Sequence, residues 1–588
     1  MKPGNRKRNK YSCAALPLLT AFLLILSFSA PQRGALGWIC LLPLFFYLYN
    51  MDSSWQKCFW GGTAGGVVFF LHHYAYMALS ISFLYPRYFS IMVVFATALY
   101  SALFWGLFSL AAFFILQNKR ILLPTLGLSS AWILGEFLRS WGFLGHTGGF
   151  LGYTQAHFPL LLQCISLYGY WGLSFIMVFA QALLFLLWRS RRENDRREGK
   201  QREIVLQESG QQEYIRRESS WVKYFPRVIF LQGNIRRGSV LQDGGPRIRC
   251  NHKHVREIFV SLLIFLALLG GGLYLPSLFP VEKYKKPLRV ALIQGNIPQE
   301  DILDPALSLQ NFQKYLAFSR RAHALHAPLD LIVWPETVFS AGLGKNHYST
   351  AVKEIAALAT ETDTSILFGA VYEEQKEGAA GNNERHIYNS ILLQKSGKNS
   401  WEEERYDKIK LVPFAEYLPY PDLLQSFGNL NISLGAYTPG SSVQRFDLED
   451  YSIGGIVCFE SYFAQPALNI VQKGSRHLFI LTNDAWFLDS DGLAQHARVA
   501  KFRALETGIG VTQVANTGHT VSYDPLGREI VTLPILQEGI VLLETEMPRR
   551  QTLYRLGGNY FLYPCLLLLV AACRPSSKAL KRKITGGG

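Results

Sequence analysis

The sequence of 588 residues lacks the short motifs by which proteins hold nucleotides and metal ions. It contains no phosphate-binding loop of the Walker type, no glycine pattern for a dinucleotide and no cysteine–histidine spacing of a zinc site. We therefore expect a protein that uses neither a metal nor any other cofactor. Cysteine is also scarce, with 8 residues in the chain, and only Cys458 lies in the range 281–550.

Apolar residues are abundant, and many of them stand beside basic ones. Hydrophobic residues make up 49% of the chain, and the formal net charge is +16. This combination is typical of a chain divided between membrane spans and a soluble part. Because the basic residues cluster next to apolar runs, the positive charge indicates membrane loops, and we expect no nucleic acid partner. The length also predicts more than one domain.

Apolar stretches of roughly 17 to 25 residues, the length that crosses a bilayer, predict a multi-pass α-helical membrane domain of about eight spans. The first stretch follows basic residues, as in a signal peptide. A second apolar run comes almost at once, however, which favours a retained span. The predicted spans cover residues 13–30, 36–50, 58–79, 89–117, 121–139, 159–188, 258–280 and 557–573.

The basic residues predict the orientation of these spans. Lys119, Arg120 and the run Arg189–Arg192 fall on one side when spans are counted from the amino terminus, and the positive-inside rule makes this side cytoplasmic. The predicted organisation is spans one to six in 1–188, a basic cytoplasmic insertion at 189–257, span seven at 258–280, an outer domain at 281–550, span eight at 557–573 and a basic cytoplasmic tail at 574–588.

The insertion 189–257 is rich in arginine, glutamate and glutamine. This composition predicts a solvated, partly disordered loop that touches anionic lipid. Within it, residues 227–235 repeat much of the pattern of residues 289–297. We have no physical explanation for this similarity.

From residue 285 to 547 short β-rich apolar runs alternate with amphipathic segments, which is the pattern of an α/β domain. The predicted helices are 307–326, 348–360 and 494–507. The predicted strands are 288–293, 329–334, 365–371, 387–393, 453–458, 477–482, 511–514 and 519–523.

Cys458 ends an apolar strand that stops abruptly in a polar turn. A side chain at such a position is held firmly and presented to a cleft, where a nucleophile belongs. The alternative is a small buried side chain without chemistry. A thiolate that attacks an ester also needs a base and a cation or hydrogen-bond donor. Glu336 at a strand end, and Lys408 or Lys410 in a proline-bounded loop, offer these groups.

Five short motifs resemble those of the nitrilase superfamily. Together with the predicted spans and the loop 145–154, they make the chain similar to the apolipoprotein N-acyltransferase family. The resemblance implies an α/β nitrilase-like domain, an α-β-β-α sandwich, beside the membrane domain. The motifs are QGNIP at 294–298, WPE at 334–336, YDK at 406–408 with VPFAEY at 412–417, CFE at 458–460 and NDAWF at 483–487.

The resemblance also implies roles for single residues. Glu336 would be the general base, Lys408, and not Lys410, the oxyanion stabiliser, and Cys458 the nucleophile. The chain departs from the family pattern at Leu303 and Phe459, which affects lipid contacts and leaves the trio untouched. The positions that would support the trio are Glu416, Glu460, Asn389 and Trp486.

The activity implied by the resemblance is acyl transfer in lipoprotein maturation at the bacterial inner membrane. A fatty acyl chain would leave a phospholipid, form a thioester with Cys458 and pass to the α-amino group of the S-diacylglyceryl cysteine of an apolipoprotein. The catalytic domain would lie on the periplasmic side. The partners would be the phospholipid donor, the lipoprotein acceptor and the lipid bilayer.

Two other functions stay open from the sequence. A membrane-tethered amidase would use the same trio with water, and it predicts a hydrophilic, closed pocket. A transporter or sensor with an outer binding domain predicts intramembrane charges or broken helices, for which His72, His73 and Glu136 are isolated candidates. Neither a transporter nor a sensor would form an acyl adduct on Cys458.

Overall fold

The computed structural model describes residues 10–50, 54–142, 144–208, 252–343, 349–377, 383–398, 404–420 and 437–574. The first part is helical, because long runs of leucine, phenylalanine and alanine favour helices whose backbone groups are all paired internally. Its helices are α1 Lys10–Ser29, α2 Leu42–Asn50, α3 Trp55–His73, α4 Ala75–Ser82, α5 Arg87–Ile115, α6 Leu122–Arg139, α7 Pro159–Leu162, α8 Ile165–Glu208 and α9 His252–Tyr274.

The described residues contain helices long and apolar enough to cross a membrane, which confirms the membrane domain. The pair α3 and α4, bent by 49°, adds one more if it forms a single span. The predicted spans at α1, α2 and α6 are helical but shorter or less apolar, so the count of eight stays a prediction. The four helices that meet both criteria are Arg87–Ile115, Ile165–Arg197, His254–Leu278 and Leu553–Cys573.

Helix α8 continues beyond the predicted end of span six. It reaches Glu208, so the first part of the segment predicted as a loop is helical. Arginine, glutamate, glutamine and lysine all have high helix propensity, and a helix already nucleated in the membrane is extended at low cost. The repeated pattern at 227–235 lies outside the described residues.

The second part of the chain is an α/β domain that extends from β1 to β15. Its helices are α10 Gln299–Leu303, α11 Ser308–His326, α12 Ser349–Glu361, α13 Ala464–Gln472 and α14 Asp491–Thr507, followed by α15 Leu553–Gly557 and α16 Leu562–Cys573. Its strands are β1 Val281–Glu282, β2 Leu288–Gln294, β3 Leu331–Val333, β4 Phe339–Leu343, β5 Ser365–Glu377, β6 Asn383–Gln394, β7 Arg405–Asp407, β8 Arg445–Asp447, β9 Ser452–Val457, β10 His477–Thr482, β11 Gly510–Ala515, β12 Thr520–Tyr523, β13 Glu529–Leu533, β14 Gly539–Thr545 and β15 Arg549–Arg550.

Most of these strands form two sheets that pack face to face. One sheet has the order β14-β2-β3-β5-β6-β7, with β4 beside β5, and the other has the order β13-β12-β11-β10-β9-β8. Strand β2 shows why they stack: Val290 and Leu292 join the core between the sheets, whereas Ala291 and Ile293 join the core under α11 and α12. Strands buried on both faces are apolar throughout. The predicted α-β-β-α sandwich is confirmed.

The parallel strands set the position of the candidate site. Strands β2, β3 and β5 are parallel in one sheet, and β9, β10 and β11 are parallel in the other. Ligands bind beyond the carboxyl ends of such strands. Glu336, Cys458 and Asn483 follow β3, β9 and β10 closely, so the fold brings distant parts of the sequence to one edge.

The helical region packs directly on this edge. The Ser80 hydroxyl of α4 donates to the carbonyl oxygen of Trp486 at 2.8 Å, and the Thr147 hydroxyl donates to that of Tyr462 at 2.9 Å. The candidate site therefore lies where the membrane region and the α/β domain meet.

Candidate active site

Cys458 is the first residue after β9 and has a positive φ of 47°. A non-glycine residue in this left-handed region is uncommon and is held there by its surroundings. The turn is fixed by the buried Glu460 carboxylate, which accepts from the backbone N–H groups of Val457, Ile409 and Lys410 at 2.8–3.0 Å. The turn therefore points the thiol in a defined direction.

Glu336 lies beyond the end of β3 and is buried. Its Oε1 accepts from the Asn389 amide at 2.7 Å, and its Oε2 accepts from the backbone N–H of Asn483 at 2.7 Å. These two donors fix the plane of the carboxylate.

Lys408 follows β7 and is only 1% exposed. Its Nζ lies 2.9 Å from Glu416 Oε1 and 3.7 Å from Glu336 Oε1. Burial alone would lower the pKa of Lys408, but the two carboxylates outweigh it, and the net pKa lies above its usual range. The lysine is therefore a permanent cation in the site.

Asn389 joins the two carboxylates that flank this cation. Its Nδ2 donates to Glu336 Oε1 at 2.7 Å and to Glu416 Oε1 at 2.8 Å. The amide therefore holds the two carboxylates in place, and the Lys408 cation beside them offsets their mutual repulsion.

The thiol of Cys458 is protonated at neutral pH. Desolvation by the surrounding protein raises the pKa of Cys458, the Glu336 carboxylate raises it further, and Lys408 opposes the shift without cancelling it. A neutral thiol is a poor nucleophile. Any attack by this sulfur therefore needs a proton acceptor within the site.

Six of the seven predicted site residues line a cavity of about 450 Å³ whose surface is mainly apolar. Lys410 does not line it; its ammonium lies 4.8 Å from the centre of the Phe463 ring. Glu460 is also outside the lining, behind the Cys458 turn. The predicted site residues that line the cavity are Glu336, Asn389, Lys408, Glu416, Cys458 and Trp486.

The membrane region supplies part of the cavity wall. Trp486 is held by α4 through its carbonyl oxygen, and its ring lies 5.9 Å from that of Phe83. Both positions that depart from the family pattern, Leu303 and Phe459, also line the cavity. The wall residues from α4, α5 and the loop before α7 are Tyr76, Met77, Ser80, Ile81, Val93, Thr97, Leu144, Gly145 and His146.

The sequence reading missed His496 and Asp484. His496 Nδ1 lies 2.7 Å from Asp484 Oδ1, and its Nε2 lies 3.2 Å from the Cys458 carbonyl oxygen and 2.9 Å from the Ser461 hydroxyl. Burial by itself would lower the pKa of His496, but the Asp484 carboxylate outweighs it and the net shift is upward. The available signal was a histidine within the apolar face of the segment 494–507.

Potential ligand atoms of Cys458, Asp484 and His496 lie within 4.8 Å of one another, close enough to raise the question of a metal site. The His496 nitrogens, however, already contact the Asp484 carboxylate on one side and Ser461 with the Cys458 carbonyl on the other. A cation would have to break these contacts. The cluster is better described as a hydrogen-bond network that supports the Cys458 turn.

Comparison with known proteins assigns both parts of the chain. The family described as Carbon-nitrogen hydrolase matches residues 289–554, so the α/β domain is a carbon–nitrogen hydrolase domain with the nitrilase fold. The family described as Apolipoprotein N-acyltransferase N-terminal domain matches residues 20–183. The chain belongs to the apolipoprotein N-acyltransferase family and is an acyltransferase.

Similar proteins extend over almost the whole chain. An apolipoprotein N-acyltransferase of Geobacter metallireducens is 27% identical over 97% of this chain and 95% of its own length. That of Haemophilus influenzae is 24% identical over 96% of this chain and 94% of its own length. The crystal structure of Saccharomyces cerevisiae Nit3, of the nitrilase superfamily, is 18% identical, with a TM-score of 0.34 over 45% of this chain and 91% of that one.

Proposed function

We propose that this acyltransferase takes a fatty acyl chain from a phospholipid, holds it as a thioester on Cys458 and transfers it to the α-amino group of an S-diacylglyceryl cysteine on an apolipoprotein. One observation carries the proposal: a mainly apolar cavity contains Cys458, Glu336 and Lys408 and has walls from both the membrane region and the catalytic domain. A lipid ester can enter such a site from the bilayer and place its acyl chain against the apolar wall. A small soluble amide has no apolar chain that would contact this wall.

In the first half-reaction Glu336 accepts the thiol proton and the Cys458 sulfur attacks the ester carbonyl. The charge that develops on the carbonyl oxygen is stabilised by the Lys408 cation, a contribution of about 3 kcal/mol for one such donor. The carbon–oxygen bond then breaks, Glu336 returns its proton to the leaving oxygen, and a lysophospholipid departs.

In the second half-reaction the free amine of the lipoprotein attacks the thioester carbonyl. Glu336 accepts a proton from the amine as the carbon–nitrogen bond forms, the carbon–sulfur bond then breaks to leave the amide, and Glu336 returns the proton to the departing Cys458 sulfur. The same carboxylate acts as base and then as acid in both half-reactions. Because the lysophospholipid leaves before the amine reacts with the thioester, the scheme is ping-pong.

The supporting residues act through the trio. Asn389 and Glu416 keep Glu336 and Lys408 at fixed positions, and Glu460 with His496 holds the Cys458 turn. Trp486 forms cavity wall next to the membrane helices. With the basic side of the spans in the cytoplasm, this site lies on the periplasmic side of the inner membrane.

Transfer to a synthetic S-diacylglyceryl-cysteinyl peptide tests the proposal. With phospholipid present, we expect the peptide to gain one acyl chain on its amino group, seen by mass spectrometry. The same peptide with an acetylated amine is the control and stays unchanged. Release of free fatty acid at equal rates with both peptides would instead favour a hydrolase that uses water.

Replacing Glu336 by glutamine is expected to make the Cys458 thiol more acidic and, at the same time, to slow its acylation. Removal of its negative charge lowers the pKa of the Cys458 thiol, so the pH profile of iodoacetamide alkylation shifts to lower pH. Loss of the base slows thioester formation by roughly 10²–10⁴-fold. Glu373→Gln, which changes another carboxylate of the cavity, is the control. An alkylation profile shifted to higher pH, or unaltered acylation, would contradict the assignment.

Replacing His496 by alanine is expected to slow thioester formation by roughly 10–100-fold, because small displacements of a reacting group are costly. The variant loses the contact with the Cys458 carbonyl that supports the turn. His496→Gln, which keeps a polar group there, should recover part of the rate, and His519→Ala serves as control. Single-turnover acylation measures the effect. A normal rate for the alanine variant would show that the turn holds without this contact.

A further inference from the structure

A second cavity, of about 440 Å³, lies within the helical region at the ends of α2 and α5 and along the middle of α8. Tyr170, near the start of α8, packs under the guanidinium of Arg503 in the catalytic domain, at 5.4 Å from its ring centre. Arg189 in the cavity wall comes nineteen residues later on the same helix. At the helical rise this separation is about 30 Å, the thickness of the hydrocarbon core. The cavity therefore opens at the opposite membrane surface from the candidate active site.

The wall of this cavity combines apolar and cationic side chains. Leu48, Tyr49, Phe113 and Leu116 form its apolar part. Four basic side chains and one acidic side chain leave an excess of three positive charges, and these five are Lys119, Arg189, Arg196, Arg197 and Glu193.

Arg189 is a buried cation of the cavity wall that is held by backbone hydrogen bonds. It is only 4% exposed, and its guanidinium donates to the carbonyl oxygens of Leu116 and Asn118, each at 2.9 Å. These bonds hold the turn after α5 against α8, and they therefore fix the backbone position from which the Lys119 side chain projects. Its nearest acidic neighbour, Glu193, is 4.0 Å away. Among the residues that the structure describes, no acidic side chain forms an ion pair with Lys119, Arg196 or Arg197.

We propose that this cavity binds the headgroup of an anionic phospholipid, with its acyl chains against the apolar wall. A soluble anion would pair with the basic residues but would make no contact that explains the apolar part of the wall. Basic pockets between spans attract anionic headgroups, and each basic side chain near such a surface is worth about fivefold in affinity. Arg192 over the Trp188 ring, at 5.0 Å, adds an aromatic group at the interface beside the cavity. The proposal is independent of the acyl transfer reaction.

Photo-crosslinking of the full-length protein in phosphatidylcholine nanodiscs tests this site, with a diazirine-bearing phosphatidylglycerol as probe. Mapping by mass spectrometry is expected to place the label on peptides that contain residues 113–119 and 189–197. In the double variant Lys119→Gln/Arg197→Gln, half-saturation of this labelling should require about 25-fold more probe. The matched control Arg120→Gln/Arg191→Gln removes one charge from each of the same two segments outside the cavity, and should raise the half-saturation concentration much less because neither side chain lines the cavity.

Equal labelling of the two double variants would overturn the proposal, and so would equal labelling by a diazirine-bearing phosphatidylcholine. Loss of labelling in the presence of millimolar inorganic phosphate would identify a site for free phosphate and also overturn it. All four substituted side chains are exposed, and only those of Lys119 and Arg197 line the cavity. Equal midpoints of thermal unfolding verify that both variants are folded.

Discussion

The variant Cys458→Ala is expected to form no acyl adduct and to lose transfer by roughly 10⁴-fold or more, to background, as removal of a catalytic nucleophile does. The sulfur is the atom that carries the acyl chain between the two half-reactions, and no other cysteine lines the cavity among the described residues. Intact-mass measurement after incubation with phospholipid detects the adduct, and lipopeptide acylation reports the transfer.

Two further variants sharpen this result. Cys573→Ala changes the other partly exposed cysteine that the structure describes, in α16, and should behave as the wild type. Cys458→Ser keeps the shape of the side chain but replaces the thiol by a much weaker acid, so its transfer should stay far below that of the wild type. Full turnover by the serine variant would show that thioester chemistry is not required.

The variant Lys408→Met is expected to slow thioester formation by roughly 10²–10³-fold, because the cation that stabilises the oxyanion is lost. It should also destabilise the fold by about 3–5 kcal/mol, because Glu336 and Glu416 are left as buried charges without their partner. Single-turnover acylation and the midpoint of thermal unfolding measure the two effects.

A double variant separates catalysis from stability at this lysine. Lys408→Met with Glu416→Gln removes one charge of each sign, so most of the stability should return while acylation stays slow. Lys410→Met is the control, since its ammonium lies over Phe463 outside the cavity. If the double variant regained normal acylation, Lys408 would be a structural cation and not an oxyanion stabiliser.

Much of the fold was predictable where a strand is buried on both faces. The predicted strand 477–482 coincides with β10, whose six residues are all buried in a parallel sheet. Strand β14 was not predicted, because it is partly exposed and owes its place to antiparallel pairing with β2, far away in the sequence. The helical continuation of α8 to Glu208 was missed, because charge alone does not distinguish a solvated helix from a loop.

The candidate site was predictable as a set of residues but not as a geometry. Glu336, Lys408 and Cys458 are each marked by a motif, and the sheets bring them to one cavity. Spacing along the chain does not reveal that one amide, Asn389, bonds both carboxylates. The network of Asp484 and His496 was missed for the same reason. Its contacts join two short turns, Cys458–Tyr462 and Asp484–Phe487, to helix α14, and these are separate elements of the sequence.

The central claim is that the Cys458 sulfur carries an acyl chain on its way from lipid to lipoprotein. Peptide mass spectrometry of the protein, after incubation with a phospholipid whose acyl chain is isotopically labelled, tests it most directly. We expect a labelled, hydroxylamine-sensitive adduct on the peptide containing Cys458, which disappears when the diacylated lipopeptide is added and reappears as its amide. Transfer of the label to the lipopeptide with no adduct at Cys458 at any time, or an adduct that the lipopeptide does not discharge, would contradict the mechanism.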